Sequence, residues 1–404
     1  MRTLPPKWIL PALLALYSLN FMDRSVLAVV GEAMKTDMGF SDAELGLLHS
    51  VLLITLIFVI FPGAVMNDVW KRRKFIALCA AVWSMAMAGT AMAGSFLSLC
   101  CARIFASANE GSTGSGGTAW LSQYYPASKR ARVLGMFQMG APLGMALGTL
   151  LGGAVLSLTG NWRYCFFLFI IPALVLAFVV YRLPDEQRPA GRDYLSGIPV
   201  LLKKRTLVIT ACAGGFFCII KYAWQSWLPV LLMRTYFVEP STAALLSACF
   251  LLAGACGPCL GGMFADFWGA RSPGGRVKAA AVCMLLILCT KLVFYICVGR
   301  ISLWAICLLG MLDSVILMMP IPLYFSITQD VVEDRYRGGM TGLLGTMMFL
   351  FGGAWGPLLT GFLSDVLGGG GQGLLYAMAL LQVFAFLAFL CYLFEIKTYL
   401  KEKV

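Results

Sequence analysis

Charged residues and histidine are scarce in this chain. Asp, Glu, Lys and Arg together make up 12% of its 404 residues, histidine occurs once, and hydrophobic residues make up 60%. Typical globular domains carry about 25% charged residues, because their surfaces face water. The composition therefore excludes a water-soluble domain and indicates an integral membrane protein. The single His49 is expected to be a solvated polar residue at the outer end of a span, rather than a pH sensor.

Acidic residues are also few, 19 against 31 basic ones, which gives a net charge of +12. The basic residues form short clusters between apolar runs, such as Lys71 to Lys74, and no single basic block stands apart. Orientation in the membrane therefore explains the charge, and we expect no nucleic-acid partner. The positive-inside rule places both termini in the cytoplasm of a multi-pass protein in the plasma (inner) membrane.

Apolar runs of about 20 residues, long enough to cross a hydrocarbon core of about 30 Å as a helix, occur twelve times. They lack the alternation of barrel strands. This predicts an all-α membrane protein with twelve transmembrane helices in two six-helix bundles. The predicted spans are Trp8–Val30, Leu45–Met66, Phe75–Ser95, Leu97–Leu121, Val133–Leu158, Tyr164–Leu183, Leu207–Leu232, Thr242–Ala265, Val277–Val298, Leu303–Thr328, Gly338–Leu363 and Gly373–Phe394.

The longest polar interruption divides the spans six and six. We predict an N-terminal six-helix bundle over residues 1–183, a cytoplasmic inter-bundle loop over residues 184–205 and a C-terminal six-helix bundle over residues 206–404. Parallel repeats of six helices place a substrate site between the halves near the midplane, and rocking of one half against the other gives alternating access.

The sequence also contains an internal repeat. "AVMNDVWKRRK" ends span two and "GMFADFWGARS" ends span eight, so that Asp68 and Asp266 lie about half the chain apart. A cytoplasmic Arg precedes a glycine-rich helix in both halves, at Arg132 in span five and at Arg337 in span eleven. An acid and a base beside a helix end can form an ion network in one access state and lose it in the other.

Buried charges mark a candidate site in the N-terminal half. Asp23 and Arg24 stand in the apolar first span, where a charge costs about 2.5–3.5 kcal/mol by insertion scales. Neighbours on a helix point about 100° apart, so these two side chains need separate partners. Span four offers Arg103 and Glu110, seven residues and two turns apart on one face. The sequence therefore predicts a polar cluster of two carboxylates and two guanidiniums that can exchange partners.

The C-terminal half offers Lys221 inside span seven, beside Tyr222 and Trp224. A buried lysine among aromatic side chains suits an anionic ligand with apolar surface attached. The alternatives are snorkelling of Lys221 to the membrane surface, which its distance from the end of the span disfavours, and an ion pair between Lys221 and Asp313, the lone carboxylate of span ten.

These features resemble the major facilitator superfamily over essentially the whole chain. The loop signature Gly-x-Leu-Ala-Asp-x-x-Gly-Arg-Arg/Lys is well kept in the second copy, whereas the first copy has Ala64 and Lys71 where the family usually has Gly. The gating residues that the resemblance implies are Asp68, Arg72, Arg132, Asp266, Arg271 and Arg337.

A closer resemblance is to spinster-like transporters and organic anion:cation symporters of the same superfamily. It rests on "NFMDR", "LSQYYPASKRARVLGMFQMGAPLGMALG", "NWRYCFF" and "WGPLLTGFLSD". Around Glu110 this chain has "NEGS", where spinster-like proteins commonly read Gly-Glu-Ala. The resemblance implies proton coupling by Asp23 and Glu110. The substrate-binding residues that we predict are Asn20, Arg24, Arg103, Gln138, Lys221, Tyr222, Trp224 and Asp313.

We therefore expect a secondary active transporter, coupled to protons, that moves an anionic or zwitterionic organic solute. Lysophospholipid-like amphiphiles are the leading substrates, and small organic acids such as sugar acids, carboxylates or siderophores are the alternative. A membrane enzyme or a non-transporting sensor is a distant alternative, because one histidine and short loops offer little catalytic chemistry. We expect a monomer without cofactor or metal, whose partners are its small-molecule or lysolipid substrate, protons and the bilayer.

Overall fold

The computed structural model describes residues 5–185, 202–333 and 337–402. These residues form helices and contain no β-strand, as a backbone surrounded by hydrocarbon requires. The predicted all-α fold class is confirmed. After a short 3₁₀ turn (Pro6–Trp8), the helices before residue 186 are α1 (Ile9–Met38), α2 (Asp42–Val69), α3 (Arg72–Ala91), α4 (Phe96–Tyr124), α5 (Ala127–Gln138), α6 (Gly140–Thr159) and α7 (Arg163–Tyr181).

The described residues from 202 onwards continue the helical pattern. A π-helical turn (Phe349–Gly353) interrupts the penultimate span. The helices are α8 (Arg205–Tyr236), α9 (Pro240–Gly254), α10 (Gly257–Arg271), α11 (Gly275–Cys297), α12 (Leu303–Met318), α13 (Ile321–Gln329), α14 (Arg337–Met348), α15 (Gly356–Val366), α16 (Gly370–Leu380) and α17 (Val383–Glu402).

Eleven segments of the described residues are long and apolar enough to cross a membrane. The remaining predicted span is α4, whose 29 residues extend about 44 Å but include many Gly, Ser and Thr together with Arg103 and Glu110. Its low hydropathy follows from these polar residues, which include the candidate site.

Several predicted spans are built from two helices. Pro258, Pro322 and Pro357 lie in the first turns of α10, α13 and α15, where a residue without a backbone N–H is tolerated. Each proline therefore marks a place where one span breaks and a new helix begins.

The chain divides into two compact units. The N-terminal unit contains the described residues up to 185 together with Val238–Ala248, and the C-terminal unit contains residues 202–237 and the described residues from Cys249 onwards. Most of the loop predicted over residues 184–205 lies outside the described residues.

Glycines set the position of the first helix of each unit. In the N-terminal unit, a Cβ atom at Gly144 would collide with the backbone of Ser18 in α1. In the C-terminal unit, a Cβ atom at Gly356 would collide with the backbone of Ile219 in α8. Close approach of helix backbones is the usual role of small residues in membrane bundles. The two glycine-rich segments of the repeat thus pack on equivalent helices, α1 and α8.

Candidate functional site

Asp23 and Arg103 form a fully buried ion pair between α1 and α4. Arg103 Nη1 donates to Asp23 Oδ1 at 2.8 Å, and the two residues are 0% and 1% exposed. Arg103 Nη2 donates to Thr90 Oγ1 of α3 at 2.8 Å, and the guanidinium carbon lies 5.1 Å from the ring centroid of Phe166. Because both charges are out of water, removal of either partner would leave an uncompensated buried charge.

Arg24 and Glu110 form a second ion pair between the same two helices. Arg24 Nε donates to Glu110 Oε2 at 2.9 Å, and Arg24 Nη2 contacts the other carboxylate oxygen. Their side chains are 15% and 12% exposed, in contrast to the buried neighbouring pair. The structure thus brings together the four charged residues of the predicted cluster, and each residue of span one pairs with span four.

Amide and hydroxyl groups flank the two ion pairs. Asn109 Nδ2 donates to Asn20 Oδ1 at 2.6 Å, and Thr113 Oγ1 donates to Asn109 Oδ1 at 2.9 Å. The Nδ2 group of Asn20 has no hydrogen-bond partner among the described residues. On the same helix, the Tyr17 hydroxyl donates to Gln138 Oε1 at 3.2 Å.

The cluster has a simple chemical capability. A guanidinium stays protonated at physiological pH, so only the carboxylates can change charge. If Glu110 takes a proton, Arg24 loses its counter-ion and becomes able to bind an external anion. The Asp23–Arg103 pair is too buried in this structure to contact a ligand, although both residues were predicted site residues.

His49 is placed differently from the expectation. It is only 8% exposed, in α2, and its Nε2 atom has no hydrogen-bond partner among the described residues. The expectation of a solvated histidine was wrong, because α2 packs against α4 along its length and covers this face.

In the C-terminal unit, Asp313 pairs with Lys291 and not with Lys221. Lys291 Nζ donates to Asp313 Oδ2 at 2.6 Å and Thr290 Oγ1 donates to Oδ1 at 3.0 Å. Lys291 and Asp313 are both 0% exposed. The alternative pairing between Lys221 and Asp313 is therefore wrong. Asp313, predicted to bind substrate, serves here as the counter-ion of a buried lysine.

Trp224 belongs to the same buried group. Lys291 Nζ lies 2.9 Å from the centroid of its ring, and Phe250 and Phe294 also contact the indole. With 3% of its surface exposed, Trp224 is part of the protein interior, not of a cavity wall. Lys221 and Tyr222, by contrast, are partly exposed, and Lys221 Nζ lies 5.0 Å from the Tyr222 ring centroid.

The second copy of the loop motif forms an ion network, with a different base from the one predicted. Asp266 lies 3.8 Å from Arg276, which also pairs with Asp330 at 2.5 Å. Tyr399 donates its hydroxyl hydrogen to the other oxygen of Asp330. Arg271 instead places its guanidinium over Phe267. Arg276 follows Arg271 by five residues in the same basic stretch, so position in the loop could have suggested it.

In the first copy, Arg72 is buried, and two of its hydrogen bonds go to neutral groups. Its Nε donates to the Asn67 carbonyl at 3.1 Å and its Nη1 donates to Gln123 Oε1 at 2.5 Å. Arg132 is exposed on α5. The side chains of Asp68 and Arg337 lie outside what the structure describes, and the predicted gating roles stay predictions.

Sequence reasoning missed Thr90, Asn109, Lys291, Arg276 and Asp330. Asn109 immediately precedes Glu110, which was a usable signal. Lys291 lies seven residues before the end of the predicted span Val277–Val298, and only its contact with Asp313 reveals its role. No group of three His, Cys, Asp or Glu side chains within the described ranges is arranged to hold a metal ion.

Comparison with known proteins agrees with this architecture. The family model described as Major Facilitator Superfamily matches residues 13–273 and 225–404. The chain is 27% identical over 399 residues to the Hexuronate transporter of Bacillus subtilis (strain 168), covering 94% of this chain and 93% of that protein. It is 25% identical over 394 residues to Protein spinster homolog 3 of Homo sapiens, covering 86% and 73%.

Among solved structures, the chain is similar to a bacterial homologue of the human lysosomal transporter Spinster in an inward-facing and occupied conformation. The TM-score is 0.88 at 22% identity, with 98% of each chain covered. This similarity shows the fold, and the family match shows the class of protein. The resemblance to spinster-like transporters is confirmed, and a membrane enzyme is set aside, because the relatives are transporters. The chain belongs to the Major Facilitator Superfamily of membrane transporters.

Proposed function

We propose that this protein is a proton-coupled transporter of an organic anion, in which Arg24 binds the anion when Glu110 takes up a proton. The observation that carries the proposal is the partly exposed Arg24–Glu110 ion pair in the interior of the N-terminal unit. A charge pair at membrane depth is rarely retained unless it serves a pathway or a partner. The Arg24–Glu110 pair is partly exposed. It lies beside the Asp23–Arg103 pair, in which the two buried charges already neutralise each other.

The coupling follows from charge balance in the site. With Glu110 ionised, Arg24 is neutralised internally and an anion gains little by entering. With Glu110 protonated, an anion replaces the carboxylate as the counter-ion of Arg24. Release of the proton restores the internal pair and expels the anion, so each ligand stabilises binding of the other. Alternating access of the two halves would carry both ligands across the membrane.

A small hydroxylated acid fits the surroundings of Arg24 best. Tyr17 of α1 and Gln138 of α5 supply a hydroxyl and an amide group in the same unit, both are at least partly exposed, and such groups recognise hydroxyls on a substrate. A full-length relative is named a hexuronate transporter and another a probable L-galactonate transporter. A lysophospholipid-like amphiphile, expected first from the sequence, is the second candidate, supported by the similarity to spinster homologues.

Orientation, location and oligomeric state are also part of the proposal. The distribution of Lys and Arg supports cytoplasmic termini and a plasma (inner) membrane location. We propose a monomer, since each substrate pathway in this architecture is formed within one chain.

The test is uptake into proteoliposomes that contain the purified full-length protein. Radiolabelled glucuronate, L-galactonate and a lysophosphatidylglycerol are offered with and without an inward proton gradient, and with a protonophore as control. Gradient-driven accumulation of a sugar acid supports the proposal. Transport of the lysolipid alone would replace the substrate assignment, and uptake unaffected by the protonophore would overturn proton coupling.

A further inference from the structure

Glu395 is a buried carboxyl group in α17 that the proposed transport cycle does not use. The residue is 0% exposed. Its Oε1 atom accepts a hydrogen bond from Thr210 Oγ1 of α8 at 2.5 Å, whereas its Oε2 atom has no hydrogen-bond partner among the described residues. No sequence pattern identified it, because a single Glu near the end of an apolar run resembles a solvated helix terminus.

Among the described residues, no Lys or Arg side chain is bonded to either carboxyl oxygen of Glu395. Helices α8 and α11 pack against α17 on this side. Arg276 of α11, whose charge acts on Tyr399 of α17, is engaged by Asp330 and Asp266. The groups that interact with Glu395 by hydrogen bonding or charge are Thr210 on α8 and Cys391, Tyr392, Tyr399 and Glu402 on α17. Their own neighbours include Thr206 and Cys212 on α8, Cys283 on α11 and Tyr324 on α13.

An ionised carboxylate in such a place is strongly unfavourable. One hydroxyl donor does not replace the hydration of a full negative charge, and the nearby acid Glu402 adds repulsion. A protonated carboxyl group is neutral and requires only ordinary hydrogen bonding. The Thr210 hydroxyl then donates to the carbonyl oxygen of the acid.

We propose that Glu395 is a proton-binding site of the C-terminal unit, which carries its proton in the folded protein and so joins α17 to α8 at Thr210. Glu402 makes a second connection between the two helices, since its carboxylate oxygens accept from the Arg205 and Thr206 amides at 3.0 Å each. Together the two acids hold the first turns of α8. This helix also bears Lys221 and Tyr222, so proton occupancy at Glu395 stabilises the helix that presents them. The site is independent of the Glu110 proton in the proposed function.

The first experiment follows unfolding of the detergent-solubilised full-length protein against pH. The unfolded chain releases a glutamate proton above about pH 4.3, whereas the folded protein keeps it. Folding then takes up one proton, and the folding equilibrium constant falls up to tenfold for each pH unit of increase. Glu395→Gln imitates the neutral acid and removes this decline. We expect its unfolding midpoint to exceed that of the wild type increasingly as the pH rises.

Glu402→Gln is the matched control, because it alters an acid on the same helix whose oxygens accept hydrogen bonds from backbone amides. We expect it to preserve the pH slope of the wild type. Equal slopes for the wild type and Glu395→Gln would overturn the proposal. A stabilisation by NaCl that choline chloride does not reproduce, lost in Glu395→Gln, would also overturn it in favour of a sodium site.

Infrared spectroscopy provides a readout that does not depend on unfolding. A protonated carboxyl group has a C=O stretching band that an ionised one lacks. We expect such a band at neutral pH in the wild type and its loss in Glu395→Gln. Thr210→Val removes the hydroxyl donor and should move the band to higher frequency, which assigns it even if the glutamine variant folds poorly. A spectrum unchanged by both substitutions would refute the assignment.

Discussion

Each unit holds a buried ion pair between membrane helices, but the two units use different cations and give them different access to solvent. In the N-terminal unit, Arg103 neutralises Asp23, and the adjacent Arg24–Glu110 pair retains 15% and 12% exposure. In the C-terminal unit, Lys291 neutralises Asp313, and both side chains have 0% exposure beneath Trp224.

This difference in the cation and in its solvent exposure distinguishes a charge pair that can exchange partners from one that holds helices together. Arginine keeps its charge, so breaking a pair in the N-terminal unit requires either a proton on the carboxylate or a substitute anion. Lysine can give up its proton when it is buried. We infer that the Lys291–Asp313 pair fixes α8, α11 and α12 to one another, whereas Arg24–Glu110 is the reactive pair.

The largest effect is expected from Asp23→Asn. This substitution removes the counter-ion of the buried Arg103 guanidinium, whose other described neighbours, Thr90, Met87 and the Phe166 ring, carry no charge, and it should cost about 3–5 kcal/mol at every accessible pH. The measurement is chemical unfolding of the purified variant. A loss below about 1 kcal/mol, with normal folded yield, would mean that water reaches Arg103 and that this pair is not purely internal.

Arg24→Ala should remove anion binding. Truncating one member of a charge-assisted contact costs about 2–5 kcal/mol, which corresponds to an affinity loss of about 30-fold or more. The measurement is the substrate-dependent rise in unfolding temperature, compared with uptake in proteoliposomes. Arg163→Ala is the control, because Arg163 pairs with the more exposed Asp37 in the same unit. Unchanged affinity in Arg24→Ala would exclude Arg24 as the anion ligand.

The buried charges of the N-terminal unit were predictable from the sequence, because charged residues are rare in apolar membrane spans. Asp23 and Arg24 interrupt an apolar span, and Arg103 and Glu110 share a helix face, so the sequence indicated which helices must meet. The actual pairing, Asp23 with Arg103 and Arg24 with Glu110, depends on the register of α1 against α4. That register is set by packing over the whole interface, which no local pattern encodes.

Residues of the C-terminal unit were harder to predict, for a related reason. Lys221, Lys291 and Asp313 are each isolated charges in apolar runs, and no pattern in the sequence distinguishes which lysine pairs with the acid. In the structure, Lys291 of α11 contacts Asp313 of the neighbouring helix α12. The same limitation applies to Trp224, which the sequence predicts to bind substrate but which is buried in the structure.

Asp313→Asn tests the contrast between lysine and arginine directly. The substitution leaves Lys291 buried without a counter-ion, and the folded protein then favours neutral lysine, while the unfolded chain stays protonated up to about pH 10.4. Folding of this variant releases a proton, so its stability should rise with pH, relative to the wild type. Unfolding at about pH 7 and about pH 9 measures this. A pH-independent loss, like that expected for Asp23→Asn, would contradict the distinction.

Glu110→Gln should have the smallest effect on stability and a specific effect on coupling. Glutamine imitates the protonated acid, so Arg24 is permanently available to an anion and binding no longer depends on a proton. In the wild type, affinity should rise up to tenfold per unit of falling pH, because proton and anion bind together, whereas the variant should vary less than about twofold. Substrate exchange across proteoliposomes should persist in the variant, while accumulation driven by a proton gradient is lost. Glu44→Gln, which alters only the capping box of α2, is the control with normal accumulation. If Glu110→Gln still accumulated substrate against its gradient, the proton would have to travel on another group, and the exposed pair would be no more reactive than its buried counterpart.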